Sequence, residues 1–484
     1  MVSYTRPQFA IASLSLGNNA HHDLPTKIRV ASSLEYDGIE IFIPDFEAFV
    51  EEVHNGLHAE LFDFTSLSNP ANLSQSDLEL ACARAISTYC SLYGLEIPIF
   101  QPFRNFENFR SQEELSKALD DAGRWFRIMP ALKCDLMLVC SNYVPGPHPI
   151  TEDYTYEMYR DAQVDAFKKL GTIAARYNVR VGYEPLSWGT VVDNWMQVWD
   201  IVKRVDMDNV GIIFDSFNSL GNQYADPGQP SCIRSGQTLS AMLENLEEMS
   251  RTVPAERIFF YQLADAIRPP EICEDSDDMP RRMKWSRACR VFPCEPPHQS
   301  SSPSSSSHDP SADLHNPSLG YLGFLPVVEM TSLLHHGNGY RGWWSLEVFN
   351  TSLQESDEGC PWRHGRRGIN GLRKLWEVVQ KDGPALRDND SIKITVDDVS
   401  EAFERRLDIY HRSPASSPSE STDSTPPLSD NEGFSSSTTS EIDENEVSDF
   451  QTRRARELLA QTDKASIAEE ARVENYQPRV DVQS

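Results

Sequence analysis

Four oxygen-bearing side chains end four successive apolar segments of the sequence: Glu184, Asp215, Gln262 and Glu347. A single residue of this kind is ordinarily a hydrated strand end. An ionised carboxylate at an apolar end is costly, however, unless a cation or hydrogen bonds meet it, and three carboxylates brought together repel one another. Oxygen ligands suit Mg²⁺ or Mn²⁺, and a set without Cys or His argues against structural zinc. The four residues therefore predict a divalent-metal site.

Three arginines lie in aromatic-rich stretches that follow predicted strands. Arg104 is in FQPFRNFENF (100–109), and Arg287 and Arg290 are in MKWSRACRVF (283–292), which we expect to be a loop after the seventh strand. Each could form an ordinary surface salt bridge. Arginine also binds carboxylates through two parallel hydrogen bonds. A metal and arginines at one rim predict a small substrate with a polarisable oxygen and an anionic group.

Eight short apolar runs alternate with helix-like segments and must position these residues. The runs are 8–16, 36–43, 95–102, 135–141, 179–185, 210–216, 257–263 and 342–349. Strands that alternate with helices, such as 76–93 and 159–178, indicate parallel βα units buried on both faces. Eight units favour an α/β fold of the (β/α)8 TIM barrel type, whose chemistry lies at the carboxyl ends of the strands. A doubly wound sheet is the main alternative, but SLSLGNNAHH (13–22) lacks the expected glycine-rich phosphate loop.

Composition limits the classes of protein to which this chain can belong. Its 484 residues carry a formal net charge of −29, which argues against a general nucleic-acid binder. The nine cysteines are scattered without a CxxC pair, so we expect reduced thiols and a cytoplasmic protein. We identify no signal peptide and no run of 18 apolar residues that could span a membrane. The oligomeric state is left open.

Two regions depart from the alternating pattern. Residues 297–317 are rich in Ser and Pro and predict a disordered insertion within a barrel domain that spans 1–385. Residues 386–412 are an uncertain helical extension. Residues 413–484 are expected to be a mostly disordered acidic tail, with nine acidic residues and no Lys or Arg in 413–450. A short helix is possible at 454–474 within that tail.

Several blocks, taken in order, resemble the fungal 3-dehydroshikimate dehydratases, which belong to the xylose isomerase-like, sugar phosphate isomerase/epimerase barrels. They include QPFRNFE (101–107), YEPLSWGT (183–190), FDSFN (214–218), MKWSRACRVF (283–292) and WWSLEVFN (343–350), and the likeness covers about residues 8–380. The resemblance implies metal-dependent dehydration of 3-dehydroshikimate to protocatechuate in quinate and shikimate catabolism, through a metal-stabilised enolate. The metal ligands would be the four strand-end residues. Arg104 and Arg287, with Ser286, would bind the carboxylate substrate.

One position departs from part of that family. Some bacterial members have a histidine, implicated in proton transfer, where this chain has Asn218, and an amide cannot act as a general base. His22, its neighbour His21, and Glu40 follow the first two strands and are the candidate proton carriers, together with metal-bound water. Each has an ordinary alternative, as a solvated loop histidine or a salt-bridged glutamate.

Other functions remain possible for such a barrel. An isomerase or epimerase of the same superfamily would use the same metal and enolate, although the arginines favour a carboxylate substrate. A catalytically inactive barrel could be a binding protein, but none of the four expected ligands has been lost. An enzyme similar to endonuclease IV would need zinc-binding histidines, which the strand ends lack.

Overall fold

A computed structural model describes residues 6–62, 73–276, 279–296 and 321–385. Eight parallel strands form a closed barrel in the order β1-β10-β7-β6-β5-β4-β3-β2. Their bounds are β1 Phe9–Ala12, β2 Gly38–Phe42, β3 Phe100–Phe103, β4 Leu136–Cys140, β5 Arg180–Glu184, β6 Val210–Asp215, β7 Ile258–Leu263 and β10 Trp344–Leu346. Each lies within one of the eight apolar runs, apart from the last residue of β3, and the predicted TIM barrel is confirmed.

Helices surround the barrel between the strands. They are α1 Leu24–Ser33, α2 Ile43–His54, α3 Gln75–Leu92, α4 Gln112–Leu132, α5 Tyr156–Ala175, α6 Trp195–Val205, α7 Ser216–Gln223, α8 Leu239–Thr252, α9 Arg281–Cys289, α10 Val327–Ser332 and α11 Cys360–Ala385. Many begin at a side chain that accepts a backbone N–H, as Ser74 does for α3 and Thr155 for α5. These two helices are those predicted at 76–93 and 159–178, shifted by one to three residues at their ends.

The segment after β7 has more structure than the expected loop. It contains α9 and a short antiparallel ribbon that joins β8 Asp265–Ala266 to β9 Arg290–Val291. Trp285 of α9 is fully buried, and its indole N–H donates to the carbonyl of Ile267 at 2.9 Å. Burying this large ring fixes α9 against the barrel rim, so Arg287 lies on a helix and Arg290 begins a strand.

The interior of the barrel is apolar in its middle and polar toward the carboxyl ends of the strands. Side chains of alternate residues on the strands form a cluster that includes Ile99, Leu136, Leu138, Ile213 and Phe260. One step further toward the carboxyl end of the strands, the same alternation brings polar residues inward. The barrel is therefore a packed core with a polar layer at the end where chemistry is expected.

Several sequence predictions lie outside the described residues. They are the insertion at 297–317, the extension at 386–412, the acidic tail at 413–484 and its helix at 454–474. The domain bounds drawn from them stay predictions. Within the described parts of the chain, no helix has both the length and the apolar character needed to cross a membrane.

Candidate active site

The three strand-end carboxylates meet at the top of the barrel. Glu184 ends β5, Asp215 ends β6, and Glu347 follows β10. One carboxylate oxygen from each lies within 4.8 Å of one from the other two, and all three side chains are buried. This acidic triad is a group of oxygen ligands that could hold a metal ion.

Gln262, the fourth predicted ligand, lies on β7 next to Asp215 on β6. Its amide Nε2 donates to Glu40 at 2.7 Å. Its Oε1 is buried and has no hydrogen-bond partner among the described residues. A buried amide oxygen without a donor is unusual in a folded protein, and coordination of a cation would satisfy it.

Asp215 is held in place by the helix that it begins. Its Oδ1 accepts the backbone N–H groups of Phe217 and Asn218 at 2.6 and 3.3 Å, which makes it the N-cap of α7. The Asn218 amide then donates to Asp215 Oδ2 at 3.0 Å and to Glu184 Oε1 at 2.7 Å. Asn218 therefore fixes two members of the acidic triad relative to each other.

The three buried carboxylates of the acidic triad repel one another. Burial raises the pKa of Glu184 well above its ordinary value, and the neighbouring Glu347 and Asp215 carboxylates raise that pKa further. Burial also raises the pKa of Glu347, against the opposing effect of Arg290. A divalent ion would favour the ionised form of every member of the triad.

Arg290 is the cation that the structure places beside the acidic triad. Its Nη1 lies 2.6 Å from Asp215 Oδ2 and 3.4 Å from Glu347 Oε2, and its side chain is buried. Ser286, one turn earlier on α9, accepts a hydrogen bond from Arg290 Nε at 2.9 Å. Ser286, predicted to bind substrate together with Arg104 and Arg287, thus also contacts Arg290. Arg290 is the first residue of β9, directly after the end of α9, and no sequence pattern indicated this contact.

Glu40 lies in the polar layer behind the predicted ligands. It accepts hydrogen bonds from Gln262 at 2.7 Å, from Gln101 at 3.2 Å and from the Ser345 hydroxyl. Gln101 also donates to Glu347 at 3.0 Å. Burial, and then the charge of Glu347, raise the pKa of Glu40 to about 8. The sequence offered no signal for Gln101 or Ser345, because their roles depend on the register between strands.

A cavity of about 510 Å³ opens above these residues. Its wall includes three arginines, Arg104, Arg287 and Arg290. Burial and the neighbouring Arg104 lower the pKa of Arg287, so these two guanidinium groups act on one another. Cations crowded around one cavity favour an anionic ligand.

Only some of the predicted site residues line this cavity. Glu184, Asn218, Ser286 and Glu347 lie on its wall. The described residues that line the cavity include none of Asp215, Gln262, Glu40 and His22. His22 is buried, and its Nε2 is bonded to the carbonyl of Glu355 at 2.9 Å. The structure therefore brings the four predicted ligands, the arginines and Asn218 together, and leaves His22 apart from them.

A second buried acid lies beside the site but outside the acidic triad. Glu107 accepts the Tyr183 hydroxyl on one oxygen and the backbone N–H of Asn142 on the other, the latter at 2.9 Å. Asn142 in turn accepts the backbone N–H of Asn105 at 3.0 Å, directly after Arg104. This Glu107 cluster (Glu107, Tyr183 and Asn142) therefore joins β5 to the loop that carries Arg104.

Comparison with known proteins identifies the family. Residues 28–372 match the family model described as a xylose isomerase-like TIM barrel. The 3-dehydroshikimate dehydratase of Neurospora crassa is 30% identical over 389 residues, which cover 78% of this chain and 97% of that protein. The 3-dehydroshikimate dehydratase of Pseudomonas aeruginosa is 31% identical over 77% of this chain, and the match spans only 42% of that longer protein.

A solved structure is also similar to this chain. A xylose isomerase-like TIM barrel/4-hydroxyphenylpyruvate dioxygenase fusion protein is 26% identical, with a TM-score of 0.49. The match covers 79% of this chain and 46% of that one. The closed barrel, the family model and the Neurospora relative lead to one conclusion: this chain belongs to the xylose isomerase-like TIM barrel family.

Proposed function

We propose that this protein is a metal-dependent hydro-lyase that dehydrates 3-dehydroshikimate to protocatechuate. The observation that carries the proposal is the buried acidic triad at the ends of β5, β6 and β10, beside an arginine-lined cavity. The names of the dehydratase relatives bear out the hydro-lyase class. An acidic triad alone would suit many barrel enzymes, whereas the arginines add a preference for a substrate that carries a carboxylate.

The residues present fit a divalent cation. Glu184, Asp215 and Glu347 would supply three carboxylate oxygens, and the buried Oε1 of Gln262, which lacks a hydrogen-bond donor, would supply a fourth. An all-oxygen set of this charge suits Mg²⁺ or Mn²⁺. When bound, such an ion supplies Lewis acidity, which polarises a ketone and favours loss of the adjacent proton.

The other residues have roles that follow from their contacts. Arg104, Arg287 and Arg290 would bind the substrate carboxylate and orient the ring, with Ser286 holding the Arg290 guanidinium. Asn218 would keep Glu184 and Asp215 at a fixed separation. Because an amide cannot take a proton, Asn218 is a positioning residue in this proposal.

The proton that leaves the substrate needs an acceptor, and we retain Glu40 and His22 as candidates. Glu40 is joined to Glu347 through Gln101. This hydrogen-bonded path gives Glu40 a connection to the cavity wall that His22 lacks in its contact with Glu355. We therefore rank Glu40 above His22 as the base.

We also propose that the protein works in the cytoplasm on a small-molecule substrate. All nine cysteines are free thiols, and eight of them are buried. Unpaired thiols are typical of a reducing compartment. The net charge of −29 disfavours nucleic acid as a partner.

The direct test is an assay of the full chain. Purified protein is mixed with 3-dehydroshikimate in the presence of Mn²⁺ or Mg²⁺, or of EDTA, and protocatechuate is followed by its ultraviolet absorbance. We expect product with metal and none with EDTA. Absence of product with either metal, from protein shown to be folded by circular dichroism, would contradict the proposed reaction.

A further inference from the structure

Asp45 is a buried acid on the wall of the active-site cavity that the mechanism above does not use. It lies in the first turn of α2, directly after β2. Asp45 is only 3% exposed, and it borders the same cavity as the three arginines. An acid in the first turn ordinarily interacts with the positive end of its helix from the surface. Interaction with the helix end does not require an acid to be buried on a cavity wall, as Asp45 is.

Lys27 is the charged partner of Asp45. It lies on α1, is completely buried, and places its Nζ 2.9 Å from Asp45 Oδ1. This contact is an ion pair without hydrogen-bond geometry, since Nζ makes no hydrogen bond within the described part of the chain. Asp45 Oδ2, the second carboxylate oxygen, is buried and accepts no hydrogen bond from any described residue.

A buried carboxylate oxygen without a donor is unfavourable. Leaving such a group unsatisfied destabilises the folded state. Lys27 offsets the charge through Oδ1 but does not satisfy Oδ2. Since Asp45 borders the cavity, a bound ligand is the natural source of the donor that Oδ2 lacks.

We propose that Asp45 accepts a hydrogen bond from a hydroxyl group of the substrate, and that Lys27 is the positioning residue that holds this carboxylate. The inference rests on the proposed function and deepens it by naming a second recognition group. The arginines would bind the carboxylate of the ligand, and Asp45, being an acceptor, would take a hydroxyl donor. The cavity would thus select ring acids that carry free hydroxyl groups.

The test begins with Asp45→Ala, assayed in the metal-loaded full chain. We expect the KM for 3-dehydroshikimate to rise about 10- to 100-fold, the range for loss of one hydrogen bond to a charged group, while kcat changes by less than about threefold. Asp135→Asn is the matched control, because Asp135 pairs with Arg180 at the exposed amino end of β4–β5 and lies outside the cavity.

A pair of ligands separates hydroxyl recognition from a change of cavity shape. Binding of shikimate, which carries ring hydroxyls, and of cyclohex-1-ene-1-carboxylate, which carries none, is measured by calorimetry. Asp45→Ala should weaken shikimate binding about 10- to 100-fold and leave the Kd of the second ligand unchanged. Equal weakening of both ligands, or of neither, would overturn the proposal.

The double variant Lys27→Met/Asp45→Leu guards against a failure to fold. It replaces the buried ion pair with apolar groups of similar size, which is often neutral for stability, and it should show the same selective loss of shikimate binding. The calorimetry does not depend on turnover. Wild-type protein that binds shikimate through Asp45 but forms no protocatechuate would therefore refute the proposed reaction and leave this inference standing.

Discussion

Two groups of buried acids lie side by side at the top of this barrel, and they differ in what surrounds them. In the acidic triad, carboxylates face one another across less than 4.8 Å. In the Glu107 cluster, one carboxylate faces a tyrosine hydroxyl and a backbone N–H. Burial raises a pKa in both groups, of Glu184 and Glu347 in the first and of Glu107 in the second.

The difference shows why burial of an acid does not by itself indicate a metal site. Glu107 has a hydrogen-bond donor on each oxygen, so its environment is complete within the protein. The acidic triad has Arg290 and the Asn218 amide against three mutually repelling acids, and Gln262 adds a further acceptor. Of these two groups, the acidic triad is the one with an excess of neighbouring negative charge, which a divalent cation would offset.

The largest expected effect comes from neutralising one member of the acidic triad. Glu347→Gln should abolish stoichiometric metal binding and lower protocatechuate formation about 1,000-fold, because the Lewis acid contributes several kcal/mol to the reaction. Metal content is measured by inductively coupled plasma mass spectrometry after dialysis, and folding by circular dichroism.

Glu107→Gln is the matched control for that experiment. It removes a carboxylate that is equally enclosed and close to the cavity, so it should keep one metal ion per chain. Retention of metal and turnover by Glu347→Gln would contradict the ligand assignment. Loss of metal by both variants would mean that the acidic triad and the Glu107 cluster do not differ in their importance for metal binding.

A smaller effect is expected from the arginines of the cavity. Arg287→Gln should raise the KM for 3-dehydroshikimate about 10- to 100-fold, the range for lost hydrogen bonds to a charged group, with metal content unchanged. Steady-state kinetics and metal analysis on the same sample test this. An unchanged KM would remove Arg287 from the substrate-binding set and leave Arg104 and Arg290.

We expect titration of Glu107 to make the free energy of unfolding depend on pH. Burial raises the pKa of Glu107 to about 7 in the folded protein, from about 4.5. The folded state then holds the proton more tightly than the unfolded state, so Glu107 lowers the free energy of unfolding as pH rises between these values. The loss is at most about 3 kcal/mol.

Glu107→Gln removes this pH dependence. Relative to wild type, the variant should gain several degrees in Tm between pH 5 and pH 8, measured by differential scanning calorimetry on both proteins in matched buffers. Parallel Tm curves for the two proteins would show that Glu107 does not titrate in this range.

The smallest effect is expected from deleting residues 413–484. The Neurospora dehydratase is matched over 97% of its length by 78% of this chain, and α11 ends at Ala385, well before the deletion. Turnover by the shortened protein should therefore stay within about twofold of the full chain under the same assay. A large loss would show that the tail belongs to the catalytic unit.

The sequence was sufficient for the fold and for the metal-ligand candidates, because both follow local patterns. Apolar runs that alternate with amphipathic segments identify parallel βα units, and the carboxyl ends of such strands lie at the catalytic rim. Glu184 and Asp215 could be selected on this basis alone. The family likeness, carried by several short blocks in order, is confirmed by the family model and the dehydratase relatives.

Tertiary structure decided every assignment that depends on the partner of a side chain. Arg290, not Arg287, reaches Asp215 and Ser286, because the chain leaves α9 after Cys289 and Arg290 begins β9. The strand register gives Glu40 its donors, and the packing of α1 against α2 pairs Lys27 with Asp45. Sequence periodicity sets the direction in which a residue points. Chain segments far away in sequence supply the group that the side chain contacts there. That group determines the charge state and the chemistry of the side chain.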